Sequence, residues 1–183
     1  MGDLTPNFSR SEFMSHDGAA MPSELDGNLL RLAQQLQALR DELGQPITIH
    51  SGYRSAAQNI EVGGEPHSRH LTAEAADFGV SNHTLSAAYC RVDRLISASL
   101  MRQGGLGIYT EHVHYDTRGS RVRGFGDVAV PRCPPPPKED TMPKHLQLHT
   151  FTGWFLIAAG YVLTGKRPPK WLRLKIRYIL GGD

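Results

Sequence analysis

Only two cysteines, Cys90 and Cys133, occur in the 183 residues, and no CxxC pair is among them. That excludes a zinc knuckle and a dithiol redox motif. Cys90 falls in a helical stretch and is expected to act as a small buried apolar side chain. Cys133 sits in a proline-rich linker, and nothing in the spacing supports a bridge between the two. There is no GxGxxG, no Walker loop, no internal repeat and no serine or cysteine motif for a covalent nucleophile. The Phe151–Leu163 run is apolar apart from Thr152 and has thirteen residues. That falls short of the roughly 20 that a membrane-spanning helix needs. The start, Met1-Gly2-Asp3-Leu4-Thr5-Pro6, shows no basic and apolar signal segment, and Pro6 breaks the myristoylation pattern.

What is present is the balance of a soluble globular protein, 39% hydrophobic and 21% charged. The charge is unevenly spread. Residues 1–131 hold eleven Lys and Arg against fifteen Asp and Glu, whereas residues 132–183 hold nine against three. One domain over 1–131, a Pro-rich linker over 132–145 and an apolar, basic tail over 146–183 are therefore expected. Pro134 to Pro137 make a semi-rigid spacer. The final stretch Trp171–Leu180 alternates basic and apolar residues, a pattern that suits an anionic surface.

Elements can be read along the first domain. A short helix is expected over Ser11–Met14 and a turn at His16-Asp17-Gly18. A long helix starts near Ser23 and carries Leu25, Leu29, Leu32, Leu36, Leu39 and Leu43 as one stripe up to Gly44. Pro46–Gly52 alternates as a strand does, and the run from Ala75 to Val80 reads as a buried strand. A second helix over about 83–102, capped by Asn82 and ended by Gly104-Gly105, precedes two short strands at 106–109 and 112–116. The class is α+β, a small antiparallel sheet backed by helices.

The chemistry gathers around Ser68-Arg69-His70-Leu71-Thr72-Ala73-Glu74-Ala75-Ala76-Asp77. His70 can enter from a loop, and Asp77 lies in an apolar strand, where a carboxylate is costly unless paired, hydrogen-bonded or on a metal. A catalytic zinc takes three protein ligands and leaves one position for water. His112-Val113-His114 supplies the third, and His112, His114 and Asp116 share one strand face. Neutral imidazoles and one carboxylate suit zinc. Glu111 and His112 are the local candidates for a general base. Arg54, after the first strand, can clamp a carboxylate with its fork. His50, His67 and His83 read as solvent or loop histidines.

Ser51-Gly52-Tyr53-Arg54-Ser55 with Asn59, Gly63-Gly64, Ser68-x-His70-(x)6-Asp77, and Gly107-Ile108-Tyr109 leading to His114-x-Asp116-Thr117-Arg118 resemble the zinc D-alanyl-D-alanine carboxypeptidases. That family shares a fold with lysostaphin-type endopeptidases and the Hedgehog signalling domain. The resemblance covers about residues 7–128. It implies that His70, Asp77 and His114 bind zinc and that Arg54 and Ser68 lie on the substrate side. It implies peptidoglycan stem peptides as substrate, in carboxypeptidases and endolysins alike. Two positions depart from the pattern: Ala73 stands where glycine is usual, and His112 where close relatives often have an aromatic. The base stays open between Glu111 and His112, and Asp116 is expected to support rather than react.

The expected function is thus a zinc peptidase of the bacterial cell wall, either carboxypeptidase or endopeptidase, of phage-endolysin type. It would be a monomer with no nucleic-acid partner. Made in the cytoplasm, it would reach the envelope through a separate lysis pore, and residues 146–183 would touch anionic membrane or lipopolysaccharide. The alternatives are a non-catalytic zinc module and a membrane-active protein working through its tail.

Overall fold

A computed structural model describes residues 2–135. The tail over 146–183 and most of the linker lie outside the described residues. Among the latter, no helix is long and apolar enough to cross a membrane.

The leucine stripe forms the helix it predicts. α1 runs Asp26–Leu43, and Leu29, Leu32, Ala33, Leu36 and Leu39 are its buried face. Each buried leucine contributes about 1.5–3 kcal/mol by leaving water. Gly44 ends the helix in the left-handed region at φ 64°, where a residue without a Cβ is unstrained. Ser23 begins a single 3-10 turn, Ser23–Leu25, that leads into α1 without a side-chain cap.

Four strands form within the segments read as strands: β1 Ile47–Ser51, β2 Ala75–Val80, β3 Leu106–Ile108 and β4 Val113–Asp116. The sheet is antiparallel throughout in the order β1-β2-β4-β3. Ala76, Phe78, Val113 and Tyr115 enter the hydrophobic core with the α1 leucines and with Val92, Leu95 and Ile96. Strand alternation turns the intervening Asp77, His114 and Asp116 to the other face. In register, Asp77 lies opposite His114 across β2 and β4.

The second long helix is shorter than expected. α3 spans Leu85–Ser97, and its cap is Thr84, whose hydroxyl accepts from the Ala87 amide at 3.2 Å. Asn82 instead sits in a turn at φ 59°. Gly104 and Gly105 do not end a helix. A Cβ on Gly104 would lie 1.6 Å from the Asp116 carbonyl oxygen, and one on Gly105 would meet the Asp116 carboxylate at 2.3 Å. Close approach of two backbones is the reason for this glycine pair. A short helix, α2 (Ala56–Glu61), is capped by Ser55 and has no counterpart in the sequence reading.

After β4 the chain turns back as a strap, residues 119–133. The Leu106 amide donates to Val122 O at 3.0 Å, the Ile108 amide to Phe125 O at 3.3 Å, and the Val128 amide to Ile108 O at 3.4 Å. Arg121 and Arg123 both pair with Asp93 of α3, at 3.2 and 2.8 Å. Cys90, also on α3, forms a disulfide with Cys133. This replaces the free, buried Cys90 of the sequence reading: 43 residues separate the two cysteines, and only the path of the strap brings them together.

Gly104 makes the tightest of these contacts. Gly104→Ala should destabilise the fold by about 1–3 kcal/mol, the range for steric overpacking that moves backbone. A shift of the urea midpoint in equilibrium unfolding measures it.

Candidate metal centre

Three side chains from three elements meet in one place. His70 stands in a 3-10 turn, Arg69–Thr72, that Ser68 caps by accepting from the His70 amide at 3.3 Å. The turn closes through Ala73 at φ 53°, a left-handed value, which accounts for glycine being usual there. Asp77 comes from β2 and His114 from β4. All three are buried, and their nearest ligand atoms lie within 4.8 Å of one another.

The separations are specific. His114 Nδ1 is 2.8 Å from Asp77 Oδ1, His70 Nε2 is 3.3 Å from the same oxygen, and the two imidazole nitrogens are 3.3 Å apart. Zinc bonds of about 2.0–2.1 Å in tetrahedral array put neighbouring ligand atoms about 3.3 Å apart. Two edges of the triangle match that spacing, and the third is somewhat tighter.

Each ligand is held from behind. His70 Nδ1 lies 2.6 Å from Gly52 O. A carbonyl can only accept, so Nδ1 carries the proton and Nε2 turns its lone pair to the centre. His114 Nε2 faces Asp116 Oδ2 at 3.5 Å, which leaves Nδ1 for the centre. Asp116 is itself fixed by the Arg118 guanidinium at 2.5–2.9 Å and by the Gly105 amide at 3.0 Å. The second oxygen of Asp77 takes Arg54 at 2.5 Å, while Arg54 Nε donates to Ser51 Oγ at 2.8 Å. A register shift between Ile49 and Ser51 lies where Ser51 meets Asp77. Such a bulge re-aims side chains at a sheet edge.

The electrostatics favour positive charge at the centre. Burial works to raise the Asp77 pKa, but contacts with His114 and His70 outweigh it and hold the carboxyl well below its usual range. Burial likewise acts to lower His114, yet Asp116 and Asp77 together raise it. Burial lowers the His70 pKa and prevails over the Asp77 carboxylate, which favours the neutral imidazole. Anionic oxygens around buried imidazoles with a converging lone pair are what a divalent cation requires. The residues present fit the group.

His112 joins this cluster. Its Nε2 is 3.6 Å from Asp77 Oδ1, and its ring stacks on Tyr109 at 4.5 Å between centroids. The ring is partly exposed, and burial, the largest influence, lowers its pKa. Glu111 is exposed and makes no hydrogen bond or ion pair among the described residues. Phe125 was not singled out by sequence reasoning. Its ring meets His114 edge-on at 5.4 Å, and no local motif marks it.

The Peptidase M15 family matches residues 6–116, more than half of the chain. The chain belongs to the peptidase M15 family. A curated relative, the zinc D-Ala-D-Ala carboxypeptidase of Streptomyces albus G, is 35% identical over 92 residues. The match takes in 46% of this chain and 36% of that protein, so the chain spans little more than a third of the relative's length. The matched region contains His70, Asp77 and His114 and ends at Asp116.

Two measurements follow for this M15 site. His70→Ala should abolish stoichiometric zinc, read by metal analysis of the dialysed protein. Zinc affinity should also fall as pH falls. Proton and metal compete for His114 Nδ1, and a raised pKa lets the proton compete from a higher pH than at a free imidazole. Chelator competition between pH 8 and pH 5 reads the dissociation constant directly.

Proposed function

We propose that this protein is a zinc-dependent peptidase that hydrolyses peptidoglycan stem peptides. The observation that carries the reading is the convergence of His70 Nε2, Asp77 Oδ1 and His114 Nδ1, with the partly exposed His112 ring beside them. Family membership and the carboxypeptidase relative support the same chemistry and substrate. When bound, zinc supplies Lewis acidity that lowers the pKa of water and polarises the peptide carbonyl.

The chain's own residues do the rest. His112 Nε2 accepts the proton of the attacking water and passes it to the leaving amine. Its place at the centre favours it over the exposed Glu111. Tyr109 keeps the imidazole in plane by stacking. Arg54 braces Asp77 and adds positive charge next to the site, which attracts a peptide carboxylate. Ser68 serves the substrate side through the turn it caps. The choice between trimming a terminus and cutting a cross-link depends on the cleft that receives the peptide. The carboxypeptidase relative favours trimming.

The Cys90–Cys133 disulfide favours work outside the reducing cytosol. We place the action in the bacterial envelope, after release through a separate lysis pore. The basic tail then lies on anionic membrane or lipopolysaccharide, with each Lys or Arg worth about 1 kcal/mol near such a surface. The protein acts as a monomer and needs no nucleic acid.

His112→Ala should keep zinc and lower kcat by about 10²–10⁴-fold on soluble muropeptides, the usual contribution of a general acid–base group. Glu111→Gln should retain most of the rate; the reverse pattern would transfer the role of base to Glu111. Co-sedimentation with anionic vesicles should require the tail, so that full-length protein binds at low salt and a chain ending at Pro135 does not.

A further inference from the structure

The strap that follows β4 lies beyond the residues that the family matches. Its Phe125 reaches the metal centre. Gly107 of β3 pairs in register with His114 of β4. The Phe125 ring occupies the space above Gly107, where a Cβ would meet ring carbons at 2.5, 2.7 and 3.1 Å. From there the ring packs against His114 in a T-shaped pair, with centroids 5.4 Å and planes 72° apart. The ring is only partly buried.

Three attachments keep Phe125 there. Its own carbonyl accepts from the Ile108 amide. Arg121 and Arg123 tie the strap to Asp93. Cys133 ties the strap's end to Cys90, three residues before Asp93 on the same helix. Residues three apart share a helix face, so α3 presents a covalent and an ionic anchor side by side.

We infer that Phe125 is a positioning residue for the metal ligand His114, and that the Cys90–Cys133 disulfide holds Phe125 in that position. The inference rests on His114 being a ligand. Asp116 fixes the imidazole through one nitrogen, as an in-plane hinge. Phe125 supplies the lateral wall that stops rotation about the Cβ–Cγ bond. Partners behind metal ligands commonly change metal affinity by about 10–100-fold when removed.

The test is zinc affinity of the full-length protein by chelator competition, beside thermal unfolding of the metal-free form. Phe125→Ala should weaken zinc binding about tenfold. Phe125→Tyr, which keeps the ring, should bind as the wild type does. Gly107→Ala, whose methyl group pushes the unaltered ring aside, should reproduce the loss. Cys133→Ser, or reduction by a phosphine that does not itself bind zinc as thiols do, should weaken binding in the same direction. Combined with Phe125→Ala, it should add little, because both act through one contact. Unchanged affinity in Phe125→Ala, or a loss that only follows the melting temperature of the metal-free form, overturns the inference while leaving the metal site in place. Failure of the wild type to bind zinc overturns both. If Phe125→Ala does not fold, Gly107→Ala and the reduced wild type decide by the same readout.

Discussion

A carboxylate in the middle of a buried strand is the constraint on which this structure turns. Asp77 is 3% exposed and flanked along β2 by alanine and phenylalanine. Left unpaired, such a charge would cost several kcal/mol. Both of its oxygens are engaged instead. One faces three imidazoles, and the other faces Arg54. Those partners come from β4 and the residue just before it, from the turn before β2 and from the loop after β1. The need to compensate one charge thus draws together every segment that forms the site.

A second level of support makes the arrangement rigid. Gly52, Asp116, Arg118, Gly105 and Ser51 each hold a ligand or the partner of a ligand. Backbone donors and acceptors have few rotational choices, so a carbonyl behind His70 and an amide behind Asp116 cost little order to maintain. The glycines at 104 and 105 belong to the same support. They let the chain come close enough to Asp116 for an amide to reach its carboxylate. What looks like a flexible doublet is a packing requirement of the metal centre.

Features with a strong local period were legible in the sequence. The leucine stripe of α1 and the alternation in β1 each depend on burying one face, the apolar run of β2 on burying both, and residue spacing records that directly. The convergence of His70, Asp77 and His114 was legible because a buried acid and clustered histidines need a shared explanation. Asn82 and Thr84 are both good caps, and only the tertiary path chose Thr84. α2 was hidden because its six residues are too few to show a period and Ile60 is exposed. The disulfide and Phe125 depend on how a segment without periodicity crosses the sheet, and contacts of that kind leave no trace in neighbouring residues. The assignment of Arg54 to substrate missed its nearest obligation, which is to Asp77.

The strap also bears on how the molecule behaves among its own copies. β3 is an end strand of the sheet, and a bare end strand offers unpaired amides and carbonyls on which another chain can build. Here Leu106 and Ile108 already give their amides to the strap, and the Gly104 and Ile108 carbonyls already accept from it. Irregular backbone fills the valences without continuing the ladder, so the sheet stops there. A segment that seems to be no more than the way out of the domain therefore guards that edge against aggregation.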